Sequence, residues 1–317
     1  MRRKSFCKWF FGTSLVLALI LTSLYLVLRT EKRDLDQAAR EGASGDFIEL
    51  PAGIVHYHLA GHEDKPLVVL VHGFSVPDYV WEPTFKGLVE AGYRVLSYDL
   101  FGRGYSDRPD LVYDLVLFNN QLEDLLIGLE IDEPVHLVGL SMGGPIAARY
   151  AYQHTEKVKS LILISPVVVQ PANSDIFPLN LPGVGEYLMA TIMEPIILPK
   201  LQVEDFYQPD NFQDWEDLYR VQLQYRGTGK ALLSTIRQLV ILDPEDEYRE
   251  LEGTDLPVLL VWGVNDQTIG LDQIEILKAI LPEMEILQVE RAGHLVHYER
   301  PEKVNSEIME FLDRIGY

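Results

Sequence analysis

From Phe47 onward, short runs of β-branched and aliphatic residues alternate with stretches of helical periodicity, the pattern of βαβ units that build a parallel sheet. The runs Phe47–Leu50, Ile54–Leu59, Leu67–His72, Arg94–Asp99, Val135–Leu140, Lys159–Ser165, Val258–Gly263 and Glu285–Glu290 predict eight strands. The first two lie too close together for a crossover helix and are expected as an antiparallel hairpin. The others are far enough apart for right-handed crossovers. Asn119–Leu129, Gly144–His154, Asp272–Leu281 and Pro301–Ile315 carry the helical pattern. The expected fold class is α/β, an eight-stranded, mostly parallel sheet with helices on both faces.

Two regions break this rhythm. At about 167–252 the chain carries Pro171, Pro178, Pro182, Pro195, Pro199 and Pro209 among Phe177, Tyr187, Met189, Met193, Phe206 and Trp215. This composition predicts a helical lid inserted into the 46–317 domain, over the edge of the sheet where ligand pockets of such folds lie. Within it Met189, Met193, Ile196, Ile197 and Leu198 are the expected lining of an apolar substrate pocket, because thioether and aliphatic chains adapt to flexible ligands. Ahead of the sheet, Trp9 to Leu28 form an uncharged run of about the 20 residues that span a bilayer, with no small-x-small cleavage site after it. Residues 1–28 are therefore expected as a single-pass membrane helix. Positive charge flanks it on both sides, and its tight clustering before the run leans towards placing the body on the outer or lumenal face. Residues 29–45, charged and then Ala/Gly/Ser-rich, read as a tether.

Charge narrows the function classes. The formal net charge is −21, and residues 1–40 hold eight Lys/Arg against three Asp/Glu, leaving 19 basic and 45 acidic residues, near −26, in the remainder. Such a surface repels phosphate backbones, so no nucleic-acid partner is expected. The single cysteine, Cys7, excludes an intramolecular disulfide and a cysteine-based zinc site. Neither a metal nor a cofactor is expected.

The chemistry is written in the turns. Gly139-Leu140-Ser141-Met142-Gly143 follows an apolar strand and opens an alanine-rich helix, which is the G-x-S-x-G nucleophile elbow. A serine hydroxyl needs a base to take its proton, and that base needs a carboxylate to fix its tautomer. Asp266 after the seventh strand and His294 after the eighth supply both in the chain order serine, acid, histidine, at strand ends whose loops converge on one rim. His297 is the rival base, three residues on; Asp243 and Asp272 are rival acids. His56, His58, His62, His72, His136 and His154 fall on other elements and read as structural or surface groups. The Met142 amide and the Phe74 amide, in His72-Gly73-Phe74-Ser75 after the third strand, are the expected oxyanion donors. Asp99-Leu100-Phe101-Gly102-Arg103-Gly104-Tyr105-Ser106 lacks a P-loop lysine and reads as a rigid rim loop.

In order and spacing, the segments at 72–75, 99–106, 139–144, 263–266 and 293–301 resemble those of the α/β-hydrolase superfamily over about residues 45–317. The layout is most similar to its lidded serine enzymes: monoacylglycerol lipases, carboxylesterases and hydrolases of carbon–carbon bonds in ring-fission products. A serine at 141 sets the chain apart from the epoxide hydrolases and haloalkane dehalogenases, which carry aspartate there. The resemblance implies hydrolysis of a carboxylic ester, with a short to medium acyl group or a monoacylglycerol, through an acyl-enzyme. Carbon–carbon bond hydrolysis with the same triad is the alternative, and a non-catalytic binding protein on this fold the more distant one. The expected partner is a small ester or lipid.

Overall fold

The computed structural model describes residues 2–316, with side chains from Gly12 onward. Its centre is one eight-stranded sheet in the order β1-β2-β4-β3-β5-β6-β7-β8. The strands are β1 (Asp46–Leu50), β2 (Gly53–Ala60), β3 (Leu67–Val71), β4 (Arg94–Tyr98), β5 (Val135–Leu140), β6 (Val158–Ile164), β7 (Val258–Gly263) and β8 (Glu285–Val289). The hairpin β1–β2 runs antiparallel and adds to β4 antiparallel; every pairing from β4 to β8 is parallel.

Around the sheet lie α1 (Arg2–Leu28), α2 (Gln37–Arg40), α3 (Glu82–Glu90), α4 (Leu115–Gly128), α5 (Gly143–Gln153), α6 (Val184–Leu188), α7 (Leu198–Glu204), α8 (Trp215–Leu223), α9 (Thr228–Leu239), α10 (Pro244–Arg249), α11 (Gln273–Ile280), α12 (Val296–Glu299) and α13 (Pro301–Ile315). Side chains along a strand alternate between faces, so the all-apolar β3 feeds two cores. Leu67, Val69 and Val71 join one shared with Leu122 of α4, Ile146 of α5 and Leu277 of α11. Val68 and Leu70 join the other with Leu88 of α3 and Val304, Ile308 and Phe311 of α13. A strand buried on both faces needs no polar alternation, which is why its apolar run is continuous.

Between β6 and β7 the chain forms α6, a π-helix at Met189–Ile197, and α7 to α10. Pro195 lies inside the π-helix, where a missing amide and a bulky ring disfavour regular α-helical pairing.

The amino-terminal reading needs correction. Among the described residues no helix is long and apolar enough to cross a membrane. The single-pass anchor and the outer or lumenal placement of the body are thereby withdrawn. Trp9 to Phe11, the flanking Arg2, Arg3, Lys4 and Lys8, and Cys7 lie outside the residues whose side chains are described. The described part of α1 runs against the π-helix, and the Tyr187 hydroxyl donates to the Leu21 carbonyl at 3.2 Å.

Residues 29–45 run along the body. Lys32 and Arg33 amides both donate to the Gln224 carbonyl at 2.9 Å, and Arg226 returns a bond to the Arg33 carbonyl. The Gly229 amide donates to Glu31 Oε1 at 2.7 Å, and Arg40 is buried with its guanidinium on Asp107 and the Tyr105 carbonyl.

Candidate active site

Ser141 leaves β5 with φ of +52°, a left-handed conformation that a serine adopts only under compulsion. Its amide donates to the Ile164 carbonyl at 2.9 Å, and its carbonyl accepts from Gly144 and Val167, so both ends of the turn are fixed by neighbouring chain. A methyl group at Gly139 would collide with the Gly143 carbonyl, and one at Gly143 with the Val71 carbonyl. Only glycine fits on either side, because α5 returns directly over the strand ends. The serine is 8% exposed and His294 is 4%, so the cleft between them is nearly closed to solvent.

Asp266 and His294, the expected acid and base, arrive on adjacent loops that are stitched together. Val264 donates to the Val289 carbonyl and Asn265 to the Ala292 carbonyl, each at 2.9 Å. Asp266 Oδ2 lies 2.8 Å from His294 Nδ1, while its Oδ1 accepts from the amides of Thr268 and Ile269 at 2.9 Å. A carboxylate so held fixes the imidazole with its proton on Nδ1, leaving Nε2 as the basic nitrogen. Burial pushes the His294 pKa down, but the charge and hydrogen bond of Asp266, together with Asp205, carry it above its ordinary value. Among the described residues neither Ser141 Oγ nor His294 Nε2 has a hydrogen-bond partner. Catalytic contacts of this kind are commonly long before substrate binds.

His297 is placed otherwise. Its Nε2 donates to the Val80 carbonyl at 3.1 Å and its ring packs on Trp81 with centroids 4.6 Å apart. It is fully buried, and burial drives its pKa down to about 3. A ring that stays neutral and is turned into the core serves packing. Asp243 caps α10 through the Glu245 amide and Asp272 precedes α11, both away from the His294 loop.

A methyl group at Gly73 would stand 3.1 Å from Ser141 Cβ, so the loop after β3, which carries the expected oxyanion donor, passes directly over Ser141. Among the described residues neither the Phe74 nor the Met142 amide donates to another acceptor. The loop is fixed from behind by two groups. His72 donates from Nδ1 to the Gly73 carbonyl and accepts from the Leu100 amide, both at 2.9 Å; burial lowers its pKa to about 4, so it is neutral. Arg103, fully buried, donates to the Phe74 carbonyl at 2.8 Å, the Phe101 carbonyl at 3.0 Å and Thr235 Oγ1 of α9 at 2.9 Å.

Three residues with a place at the site were not singled out from the sequence: Arg103, Asp205 and Glu299. Asp205, at the end of α7, accepts the His294 amide on its carbonyl at 2.8 Å and the Thr268 hydroxyl on Oδ1 at 2.5 Å; burial raises its pKa. Glu299 accepts from the amides of Gly293, Tyr207 and Gln208 and so joins the His294 loop to the lid. Glu299 sits five residues after His294 in Gly293-His294-Leu295-Val296-His297-Tyr298-Glu299, and its burial there is not visible in the sequence.

The proposed pocket lining divides. Met189 and Leu198 are buried in the core beneath the lid, Met193 packs against that core, Ile197 is half-buried and Ile196 is 42% exposed to solvent.

One further cluster could suggest a metal centre. His56, Asp78 and Asp99 offer ligand atoms within 4.8 Å of one another. Yet His56 Nδ1 meets Asp99 Oδ2 at 2.7 Å and Nε2 meets the Ser44 carbonyl at 2.5 Å. Both partners only accept, so both nitrogens carry protons and neither lone pair is open to a cation. Asp99 also accepts from the amides of Asp78 and Tyr105, which fixes the rim loop at 99–106.

The alpha/beta hydrolase family profile matches residues 68–307. Lipase 3 of Moraxella sp. (strain TA144) is 26% identical over 307 residues, spanning 94% of this chain and 91% of the lipase. The crystal structure of a membrane phospholipase A, described as a novel bacterial virulence factor, shares 26% identity at a TM-score of 0.69, covering 97% of this chain and 98% of that one. A meta-cleavage product hydrolase of Pseudomonas fluorescens IP01, CumD, is 21% identical at a TM-score of 0.69 over 85% of this chain and 98% of its own, a likeness of fold alone.

Proposed function

The chain belongs to the alpha/beta hydrolase family and is a hydrolase, and from that premise we propose that it cleaves carboxylic esters through an acyl-enzyme on Ser141. The observation that carries this reading is the His294 Nδ1–Asp266 Oδ2 pair at 2.8 Å, set on stitched loops at the same rim as a serine in a left-handed turn. In the proposed cycle His294 Nε2 takes the Ser141 proton as Oγ attacks the acyl carbon, then gives it to the departing alkoxide. Asp266 holds the imidazole and stabilises its positive form. The amides of Phe74 and Met142 meet the developing oxyanion, a contribution of about 10²–10³-fold in rate for one such donor. Water repeats the sequence to free the acid.

The substrate is read as a short- to medium-chain ester or a monoacylglycerol. The partly buried lid residues Met193 and Ile197 support this, as does the likeness to a lipase and a phospholipase. Labelling the full chain with a fluorophosphonate and assaying p-nitrophenyl esters of graded length beside a ring-fission dienoate tests it. Ester turnover with an adduct on Ser141 is expected. Turnover of the dienoate alone replaces the ester by carbon–carbon bond hydrolysis, and a folded chain with neither adduct nor turnover returns the fold to a binding role.

A further inference from the structure

A cavity of about 540 Å³ opens on the other side of the rim loop, between the β1–β2 hairpin, the start of α3 and α8. It is of the size that holds a small organic ligand, and neither Ser141 nor His294 lines it. Tyr79, Phe85, Leu218, Val221 and Tyr225 supply apolar surface. At its wall His58 Nδ1 lies 2.6 Å from Asp78 Oδ2, and His58 Nε2 lies 3.1 Å from Ser44 Oγ. We propose that Ser44, His58 and Asp78 form a second nucleophilic relay in this protein, which accepts an acyl group from a carboxylic ester seated in the cavity.

The roles are set by what each group can donate. Asp78 is nearly buried, with its side chain 8% exposed, while the His58 side chain is 30% exposed and the serine lies at the surface. A buried carboxylate behind a half-open imidazole, with a hydroxyl in front, has the order of charge and exposure that turns a serine into a nucleophile. With the His58 proton on Nδ1 towards Asp78, Nε2 is left to accept from the Ser44 hydroxyl. The serine is held at both ends: its carbonyl accepts from His56 Nε2 at 2.5 Å, and its neighbour Gly45 passes so close to both rings that a methyl group there would lie 2.8 Å from His58 Nε2. Burial and the charge of Asp99 raise the Asp78 pKa, opposed by hydrogen bonding to His58 and the charge of His56. The doubly donating His56 ring, with its centroid 5.0 Å from that of His58, thus favours the ionised carboxylate.

In the step itself, the Ser44 Oγ–acyl bond forms as the ester carbon–oxygen bond breaks. The hydroxyl proton passes to His58 Nε2 and then to the departing alkoxide, and water reverses the acylation. The positive charge of His56 acts on the oxyanion as a field, with both of its N–H groups already engaged. Acylation here should therefore be slower than at Ser141 by about 10²–10³-fold, the rate contribution of one backbone donor.

The experiment uses the full-length Ser141→Ala chain, a fluorophosphonate probe and peptide mapping by mass spectrometry. An adduct on Ser44 is expected, at a rate about 10²–10³-fold below that of Ser141 in the wild type. His58→Asn and Asp78→Asn should each reduce the rate at least tenfold in protein that melts as the parent does. Wild-type protein driven to completion by excess probe gives an independent measurement, two adducts falling to one in Ser44→Ala. A folded Ser141→Ala chain with Ser44 unlabelled, or labelled at the same rate after His58→Asn, overturns the relay and reduces the contact to a clasp on the amino-terminal segment. Absence of label on Ser141 in the wild type overturns the ester-hydrolase reading and leaves the Ser44 result standing by itself.

Discussion

His294 with Asp266 and His56 with Asp99 are two imidazole–carboxylate pairs of nearly the same length, 2.8 Å and 2.7 Å, at the carboxyl rim of one sheet. What distinguishes them is the second ring nitrogen. In His294 it has no partner among the described residues; in His56 it donates to the Ser44 carbonyl at 2.5 Å. Burial pushes the His56 pKa down, but the hydrogen bond and charge of Asp99, with Asp78 and the Ser44 carbonyl, raise it to about 9. The first ring keeps the free nitrogen that the proposed base requires, whereas the second is a fixed cation that fastens β2 to the rim loop. The strength of the pair does not make a base; a free lone pair does.

The sharpest way to break this comparison is at the proposed nucleophile and its base. In a Ser44→Ala background, which removes the proposed second relay, Ser141→Ala should lower ester turnover by about 10⁶-fold with an unchanged melting curve, and His294→Ala nearly as much, because triad members act as a unit; with Ser44 present the loss should stop at about 10²–10³-fold. His297→Ala should cost stability and leave turnover per folded molecule within about tenfold, since removing a packed ring mainly opens a cavity. Steady-state assays on the three variants decide it, and exchanged results for the two histidines would make His297 the base.

Arg103→Met comes next. It releases the Phe74 carbonyl and should lower kcat by about 10²-fold with KM little changed, the effect of misplacing one oxyanion donor. Arg103→Lys, able to reach one of the carbonyls, should restore part of the loss. A change confined to KM would place Arg103 in substrate binding.

His56→Asn tests the fixed cation and should destabilise the fold below pH 6.5 by about 3 kcal/mol, from a shift of roughly 2.5 pH units, without altering Ser141 turnover per folded molecule. The folded pKa lies above the unfolded value of 6.5, so the contribution is fully present below pH 6.5 and is lost as pH rises through about 9. Denaturant melts from pH 6 to 10 should show that loss in the wild type and lack it in His56→Asn. An equal slope in both would assign it to other groups.

The smallest effect is expected at the lid. Met193→Trp should shorten the preferred acyl chain while moving the melting temperature little, because each buried methylene contributes about 0.8 kcal/mol. A lower melting temperature with the same chain-length profile would make Met193 purely a packing residue.

The parts of this molecule that could be read from its sequence are those set by neighbours in the chain. The strands announced themselves because β3 and β7 are apolar on both faces and β5 and β6 nearly so, and the Ser141 turn because glycine alone fits at 139 and 143. His294 and His297 could be ranked by distance from a strand end, but only the short α12 turns one towards Asp266 and the other towards Val80. Arg103, Asp205 and Glu299 were illegible because each acts on chain 29 to 132 positions away that the lid or a neighbouring loop brings back. Residues 29–45 looked loose because their contacts, through Thr30, Glu31, Arg33 and Asp34 as well as the backbone, reach lid residues 164 to 198 positions away, which composition does not reveal. The apolar run before them reads as a span by composition, yet among the described residues no helix is long and apolar enough to cross a membrane.

Those same contacts set how the lid can move. A flap joined to a body at two points, here after β6 and before β7, keeps one rotation about the line between them. Glu299 holding Tyr207 and Gln208, Arg103 holding Thr235, and Gln222 donating to the Ser75 carbonyl add fixed points off that line. The Lys32–Arg33 segment adds another through Gln224 and Arg226. A plate fixed at several points out of line has no hinge. A substrate of the proposed site would then enter by local bending rather than by the insertion swinging as a whole, and the element suited to bend is the Met189–Ile197 π-helix, whose Pro195 leaves one rung of its hydrogen-bond ladder unmade.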